Sequence, residues 1–344
     1  MSETPKDRDE SPRRVYLDTA DWSYLEEGRD PESERVLRDL GEVGDACFVV
    51  TFDHLVEISG LESGRGSRVA YLQNFPGTVL LSVSGIQVLS TSTRNFVAQS
   101  LGLSTVTLDL PTQRMRDLSV ASLLDEIDKF RMWREVQGIG ARLETSSMVG
   151  TTKKKRESKN SLMRVARKGS VAMLREHIMR EETFRPGIRG LVQVGAMHAL
   201  VKLQGWMAQN GIGIPATRRE QAFERLIVPS LPREIRRSST AMSTLRTSWK
   251  NEAATADVSP AVACSAAIEV ASNPSKDPVK FRSSENDKHH AAFAAMMHVF
   301  TCDKRVQPSV DSTLRAGRRA VRVIRTQRLH EVVAAVRESL RQPT

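Results

Sequence analysis

Along the first ninety residues, short apolar runs alternate with stretches whose apolar positions fall at helical spacing. Arg14-Val15-Tyr16-Leu17-Asp18 is a brief apolar run that ends in a carboxylate, and Trp22 to Glu27 behind it has helical spacing. Residues 32–40 place Val36, Leu37 and Leu40 on one helix face, and Gly41 and Gly44 predict its end. Ala46-Cys47-Phe48-Val49-Val50-Thr51 is a β-branched run of buried-strand length, leading directly into a helix start at Phe52-Asp53-His54-Leu55-Val56-Glu57-Ile58. Residues 67–75 predict a helix, and Thr78 to Leu89 one or two extended pieces. The same texture returns near 286. Asp287 to Met297 is Ala-rich and reads as a helix, and His298 to Cys302 as a short strand ending at Asp303. Val321 to Thr326 alternates as a strand does, and Leu329 to Leu340 predicts a closing amphipathic helix. Strands alternating with helices predict an α/β architecture around a parallel sheet.

Between about 113 and 250 the strand-like runs vanish. Helical periodicity with frequent Arg runs through Leu118–Val136, Ser161–Met179, Gly190–Met207 and Arg218–Leu226, broken at Gly138–Gly140, Pro186-Gly187 and Gly211–Pro215. The chain therefore divides into a disordered polar tail (1–12), a first α/β part (13–110), a basic helical insertion (111–250) and a second α/β part (251–344). No repeat of fixed period is present.

Composition narrows the function classes. The 344 residues are 40% hydrophobic and 27% charged, and no apolar run approaches the ~18 residues of a membrane span, so no membrane partner is expected. The N-terminus is polar and lacks an apolar core, which argues against secretion. Three cysteines without CxxC spacing argue against a disulfide scaffold or structural zinc and fit a reducing, cytoplasmic setting. The net charge of +10 is uneven. Residues 1–110 carry 10 Lys/Arg against 18 Asp/Glu, residues 111–250 carry 27 against 13, and residues 251–344 carry 14 against 10. A basic middle on that scale points either to a polyanionic partner, nucleic acid first, or to plainly solvated helix faces.

The candidate chemistry lies in the carboxylates. Asp18 ends the first strand, Glu57 lies in the first turns of the helix after the second, and Asp303 ends the strand at 298–302. Ligands of open parallel sheets bind outside the carboxyl ends of the strands, so these residues converge although nearly 300 positions apart. Asp287, opening the helix before the last of these strands, can reach the same crevice. Acids gathered in one cleft raise one another's pKa unless cations offset them. Hard divalent cations such as Mg²⁺ or Mn²⁺ take such oxygen ligands and activate phosphate esters.

The pieces VYLDT (15–19), VVTFDHLVEIS (49–59), ENDKHH (285–290) and HVFTCDKR (298–305) together resemble the PIN-domain (PIN-like) metal-dependent nucleases, over about 180 residues split between the two chain ends. The resemblance implies a PIN-like three-layer domain assembled from both ends, and Asp18, Glu57, Asp287 and Asp303 as its catalytic, metal-holding acids. Thr19 and Thr301 match small hydroxyl positions beside them. It further implies Mg²⁺ or Mn²⁺, in-line attack of water, and a 5′-phosphate product from nucleic acid, with RNA leading and DNA second. The chain departs from the pattern at Ala20, at an extra acid, Asp21, and in the long gap after the second motif.

Other readings stand beside these. Asp18 and Asp287 can be helix caps, Glu57 a surface helix residue and Asp303 a turn residue. His290, three residues after Asp287, either touches substrate phosphate or metal-bound water, or is an ordinary polar helix residue. Lys304 and Arg305 either steady a scissile phosphate or are solvated. Trp133, Trp206 and Trp249 either stack bases or fill the core, and Lys153-Lys154-Lys155-Arg156 is either a solvated loop or a polyanion site. Zinc at His290, His298 and Cys302 lacks standard spacing. The alternative function is a non-catalytic PIN-like module that binds nucleic acid or a protein; a protein regulator is a further possible partner. Haloacid-dehalogenase-type phosphatases want Asp-x-Asp at the first strand, which Asp18-Thr19-Ala20-Asp21 does not supply. No nucleotide-binding glycine motif follows a strand.

Overall fold

The computed structural model describes residues 11–59, 64–119, 121–123, 125, 218–271 and 286–341. Most of the 111–250 segment, with Lys153–Arg156, Trp133 and Trp206, lies outside the described residues, as do residues 1–10.

Six strands form one sheet: β1 (Arg13–Tyr16), β2 (Ala46–Thr51), β3 (Thr78–Leu81), β4 (Thr112–Arg114), β5 (Val299–Cys302) and β6 (Arg322–Arg325). Their order is β4-β3-β2-β1-β5-β6, and only β4 runs antiparallel to its neighbour. From β1 the chain steps outward through β2 to β3, and its later part returns to the other side of β1 as β5 and β6. The order therefore reverses between β1 and β5; in open parallel sheets the ligand crevice lies at such a reversal, above the carboxyl ends of the strands.

The helices before the gap are α1 (Thr19–Glu26), α2 (Pro31–Glu42), α3 (Phe52–Ser59), α4 (Arg65–Asn74) and α5 (Gly85–Ser100). After it come α6 (Arg218–Leu226), α7 (Arg233–Arg237), α8 (Ser239–Lys250), α9 (Glu252–Val258) and α10 (Pro260–Ala271). The short helix α11 (286–291), then α12 (Gln307–Ala316) and α13 (Leu329–Arg341), follow. Alternation along the strands sends side chains to opposite faces. Val15, Phe48, Val50 and Val299 enter one core with Trp22, Leu37 and Val332, while Tyr16, Val49 and Phe300 enter another with Phe223, Trp249 and Val262. Both sheet faces are thus covered, as parallel strands require. Trp249 settles as core: it is buried, its indole N–H donates to the Arg219 carbonyl at 2.8 Å, and the Arg219 guanidinium lies over its ring.

Three local expectations are corrected. Thr78–Leu89 is extended only as far as Leu81; Ser84 and Gln87 then form a capping box that starts α5 at Gly85. Helix α2 passes through Gly41 and ends at Glu42, with Gly44 taking the left-handed turn after it. Asp287–Met297 is not one helix: α11 stops after Ala291, and a single 3-10 turn at Ala294–Met296 redirects the chain into β5. Among the described residues no helix is long and apolar enough to cross a membrane.

Candidate functional site

Asp18 sits one residue beyond Leu17 at the carboxyl end of β1 and caps α1, its Oδ1 accepting from the Ala20 N–H at 2.9 Å. Its own N–H donates to Thr301 Oγ1 at 2.7 Å, and the Thr301 hydroxyl donates to Asp21 Oδ2. Thr301 is buried in β5, so this pair of bonds ties the first acid to the neighbouring strand. Asp21 also accepts from the Gln327 N–H at 2.6 Å, which pins the turn after β6 to α1. The extra acid in the first motif is thus a buried clamp, fully enclosed in the first turn of α1.

Glu57 reaches the crevice from α3. Its Oε1 lies 3.3 Å from His290 Nε2 and 3.5 Å from Asn286 Nδ2, both on α11. Asp287 follows Asn286 on the same helix. Asp303 follows β5, where its Oδ1 accepts from the Arg305 backbone N–H at 2.7 Å and from Arg305 Nε at 2.9 Å. The same guanidinium lies 3.9 Å from Asp287. Asp53, in the first turn of α3, accepts from the Gly85 N–H at 2.7 Å and stands 3.8 Å from His289. Gly85 is required there, because a Cβ would meet the His289 carbonyl oxygen at 2.0 Å.

Electrostatics show that the four acids share one neighbourhood. Burial pushes Asp18 up, and the charges of Glu57 and Asp303 add to that against the pull of His290. Burial raises Asp287 to about 6, with Arg305 opposing and Asp303 and Asp18 reinforcing. Glu57 goes the other way. Burial would raise it, but the His290 charge and hydrogen bond outweigh this, and Thr19 and His54 help hold it below the ordinary range. The Thr19 hydroxyl is itself buried with no partner at full hydrogen-bonding geometry. His290 is correspondingly raised against its burial by Glu57, Asp18 and Asp53. Arg305 holds Asp303 low against the opposite effect of burial.

The four expected acids therefore act on one another's charge, with Thr19 beside Glu57 and the buried Thr301 behind Asp18. His290 is buried between Glu57 and Tyr16, away from any solvated helix face, and Lys304 is exposed at the lip. His298 accepts from the Arg14 N–H at the amino end of β5, the opposite end from Cys302, so a zinc set with His290 does not assemble. The residues unforeseen in the sequence are Tyr16, Thr51, His54 and Asp53. The three-residue spacing of His54 and Glu57, which puts both on one face of α3 just after Thr51 ends β2, was the available signal.

Among the described residues no three His, Cys, Asp or Glu side chains stand close enough to enclose one metal ion. The donor chemistry nevertheless fits a hard divalent cation: every candidate ligand is a carboxylate, and Asp18 and Asp287 are desolvated and mutually repelled, a cost that such a cation relieves. Two cations of the chain, His290 and Arg305, offset part of that charge at Glu57 and Asp303. Comparison of the chain with protein-family models, curated proteins and solved structures finds no match.

Proposed function

We propose that the protein is a PIN-like, Mg²⁺- or Mn²⁺-dependent nuclease that hydrolyses phosphodiester bonds of nucleic acid, RNA before DNA. The observation that supports the reading is that Asp18, Glu57, Asp287 and Asp303, from four separate elements, act on one another's charge where the strand order reverses. These four carboxylates would hold the metal. When bound, the metal polarises the phosphoryl oxygen, supplies a nucleophilic water at neutral pH and stabilises the leaving oxygen. Thr301 and Ala20 hold Asp18 from both sides, and His290 holds Glu57, so the acids are preorganised toward the crevice. An acidic crevice repels a polyanion unless cations flank it. Lys304, Arg305, Arg325 and Arg328 are exposed on the β5–β6 side, with Arg325 paired in register with Cys302 at the carboxyl ends of the strands. They supply backbone contacts to phosphates beside the acids.

A second reading, a non-catalytic nucleic-acid or protein-binding module, is favoured by one observation: Arg305 already pairs Asp303 and His290 already pairs Glu57. Cleavage of end-labelled single-stranded RNA, single-stranded DNA and duplexes, in Mg²⁺, Mn²⁺ or EDTA, separates the two. Metal-dependent cutting by wild type that Asp18→Asn abolishes supports the nuclease. Metal-independent binding without cutting selects the module.

A further inference from the structure

Behind Glu57 runs a line of polar side chains with almost no solvent contact: His290 (5% exposed), Tyr16 (0%), Thr51 (0%) and His54 (1%). His290 Nε2 faces Glu57 at 3.3 Å, and its Nδ1 is hydrogen-bonded to the Tyr16 hydroxyl. That hydroxyl lies 3.5 Å from Thr51 Oγ1, which is 3.1 Å from His54 Nδ1. His54 Nε2 ends the line at the Leu17 carbonyl, 2.7 Å away. The partners dictate the His54 tautomer. A carbonyl only accepts, so Nε2 carries the hydrogen; the Thr51 backbone N–H, 3.0 Å from Nδ1, only donates, so Nδ1 carries none. The Tyr16 ring stacks on Phe293 and Phe300, which keeps its hydroxyl on this line.

Four buried polar side chains cost desolvation that an apolar core of equal volume would avoid, so their placement calls for a role. The two ends of the line indicate which. One end grips the Glu57 carboxylate, and the other grips the carbonyl of the residue preceding Asp18. We infer that Tyr16, Thr51, His54 and His290 form a positioning relay that fixes Glu57 relative to the Leu17-Asp18 peptide and so sets the separation of two acids. This role rests on the metal-dependent reading above. Outer-shell groups that orient metal ligands are typically worth ten- to a hundredfold in metal affinity.

Two measurements on the full chain test it. In EDTA, nitrogen-15 spectra of the imidazoles should show His54 as the neutral Nε2–H tautomer with a protected N–H; the other tautomer, or a freely exchanging ring, overturns the relay. Mn²⁺ titration calorimetry should show Tyr16→Phe and Thr51→Val each weakening binding about tenfold, and Thr51→Ser restoring it. In a Glu57→Gln background Tyr16→Phe should cost nothing further, whereas in an Asp303→Asn background it should keep its full effect. An equal cost in both backgrounds means that Tyr16 only packs, and overturns the role. Wild type binding Mn²⁺ as tightly as Tyr16→Phe also overturns the role and leaves the nuclease reading standing. Wild type that binds no Mn²⁺ overturns both, while the His54 tautomer still reports whether the line itself exists.

Discussion

Replacing Asp21 by Asn isolates the energetic cost of the clamp beneath the acids. Asp21 is fully enclosed, and burial raises its pKa from 3.8 to about 7 despite hydrogen bonds from Thr301 and Gln327. A carboxyl whose folded pKa lies above its unfolded value contributes its full stability below pH 3.8 and loses it as pH rises toward 7, because the folded state must then ionise a buried group. Each unit of difference is worth ~1.4 kcal/mol, and at pH 7 the residue is still half protonated, so between pH 5 and pH 7 the wild type loses about 2 kcal/mol through this residue alone. Asn carries no proton to lose. Whatever constant offset the altered hydrogen bonds impose, the stability of Asp21→Asn relative to wild type should rise by about 2 kcal/mol across that window and flatten about one unit above it. Urea unfolding of both proteins in EDTA at half-unit pH steps measures the difference. A difference independent of pH refutes the reasoning, since Asp21 would then already be ionised at pH 5 without penalty.

Asp18→Asn should abolish cleavage yet melt no lower than wild type in EDTA. Asn keeps the cap on α1 while removing one of several repelling charges; a clearly lower melting temperature would contradict this. Gly85→Ala should destabilise by about 1–3 kcal/mol or more, because the added methyl collides with the backbone of α11, and denaturant midpoints read it directly. Arg325→Glu with Arg328→Glu should weaken binding of a single-stranded oligonucleotide in EDTA. It should also flatten the salt dependence of log Kd by about 0.7 for each phosphate that is no longer neutralised; an unchanged slope would place the substrate elsewhere.

The strands and most helices near the site were legible because their signals are local. Continuous apolar runs, buried along nearly their whole length, mark β2 and β5, Asp18 caps α1, and the stripe of Leu329, Val332, Val333 and Val336 marks α13. The misread stretches were those where two local signals compete. Val83, Ile86, Val88 and Leu89 continue the apolar character of β3, and only the Ser84–Gln87 capping box turns the chain into α5. The role of Asp21 was hidden for another reason, as its partners lie about 280 and 306 residues away.

The sequence alone determined the alternation of strands and helices, the absence of nucleotide-binding glycine motifs and the element that carries each acid, since these depend on neighbours within a turn or two. Tertiary structure alone decided the reversal of strand order between β1 and β5, which brings Asp18 beside Asp303. It also decided the burial of His290, His54 and Tyr16 into one line, and the pairing of Arg305 with Asp303 and Asp287. A side chain's charge, partners and accessibility depend on what the rest of the chain packs against it, and no local pattern encodes contacts across some 300 positions.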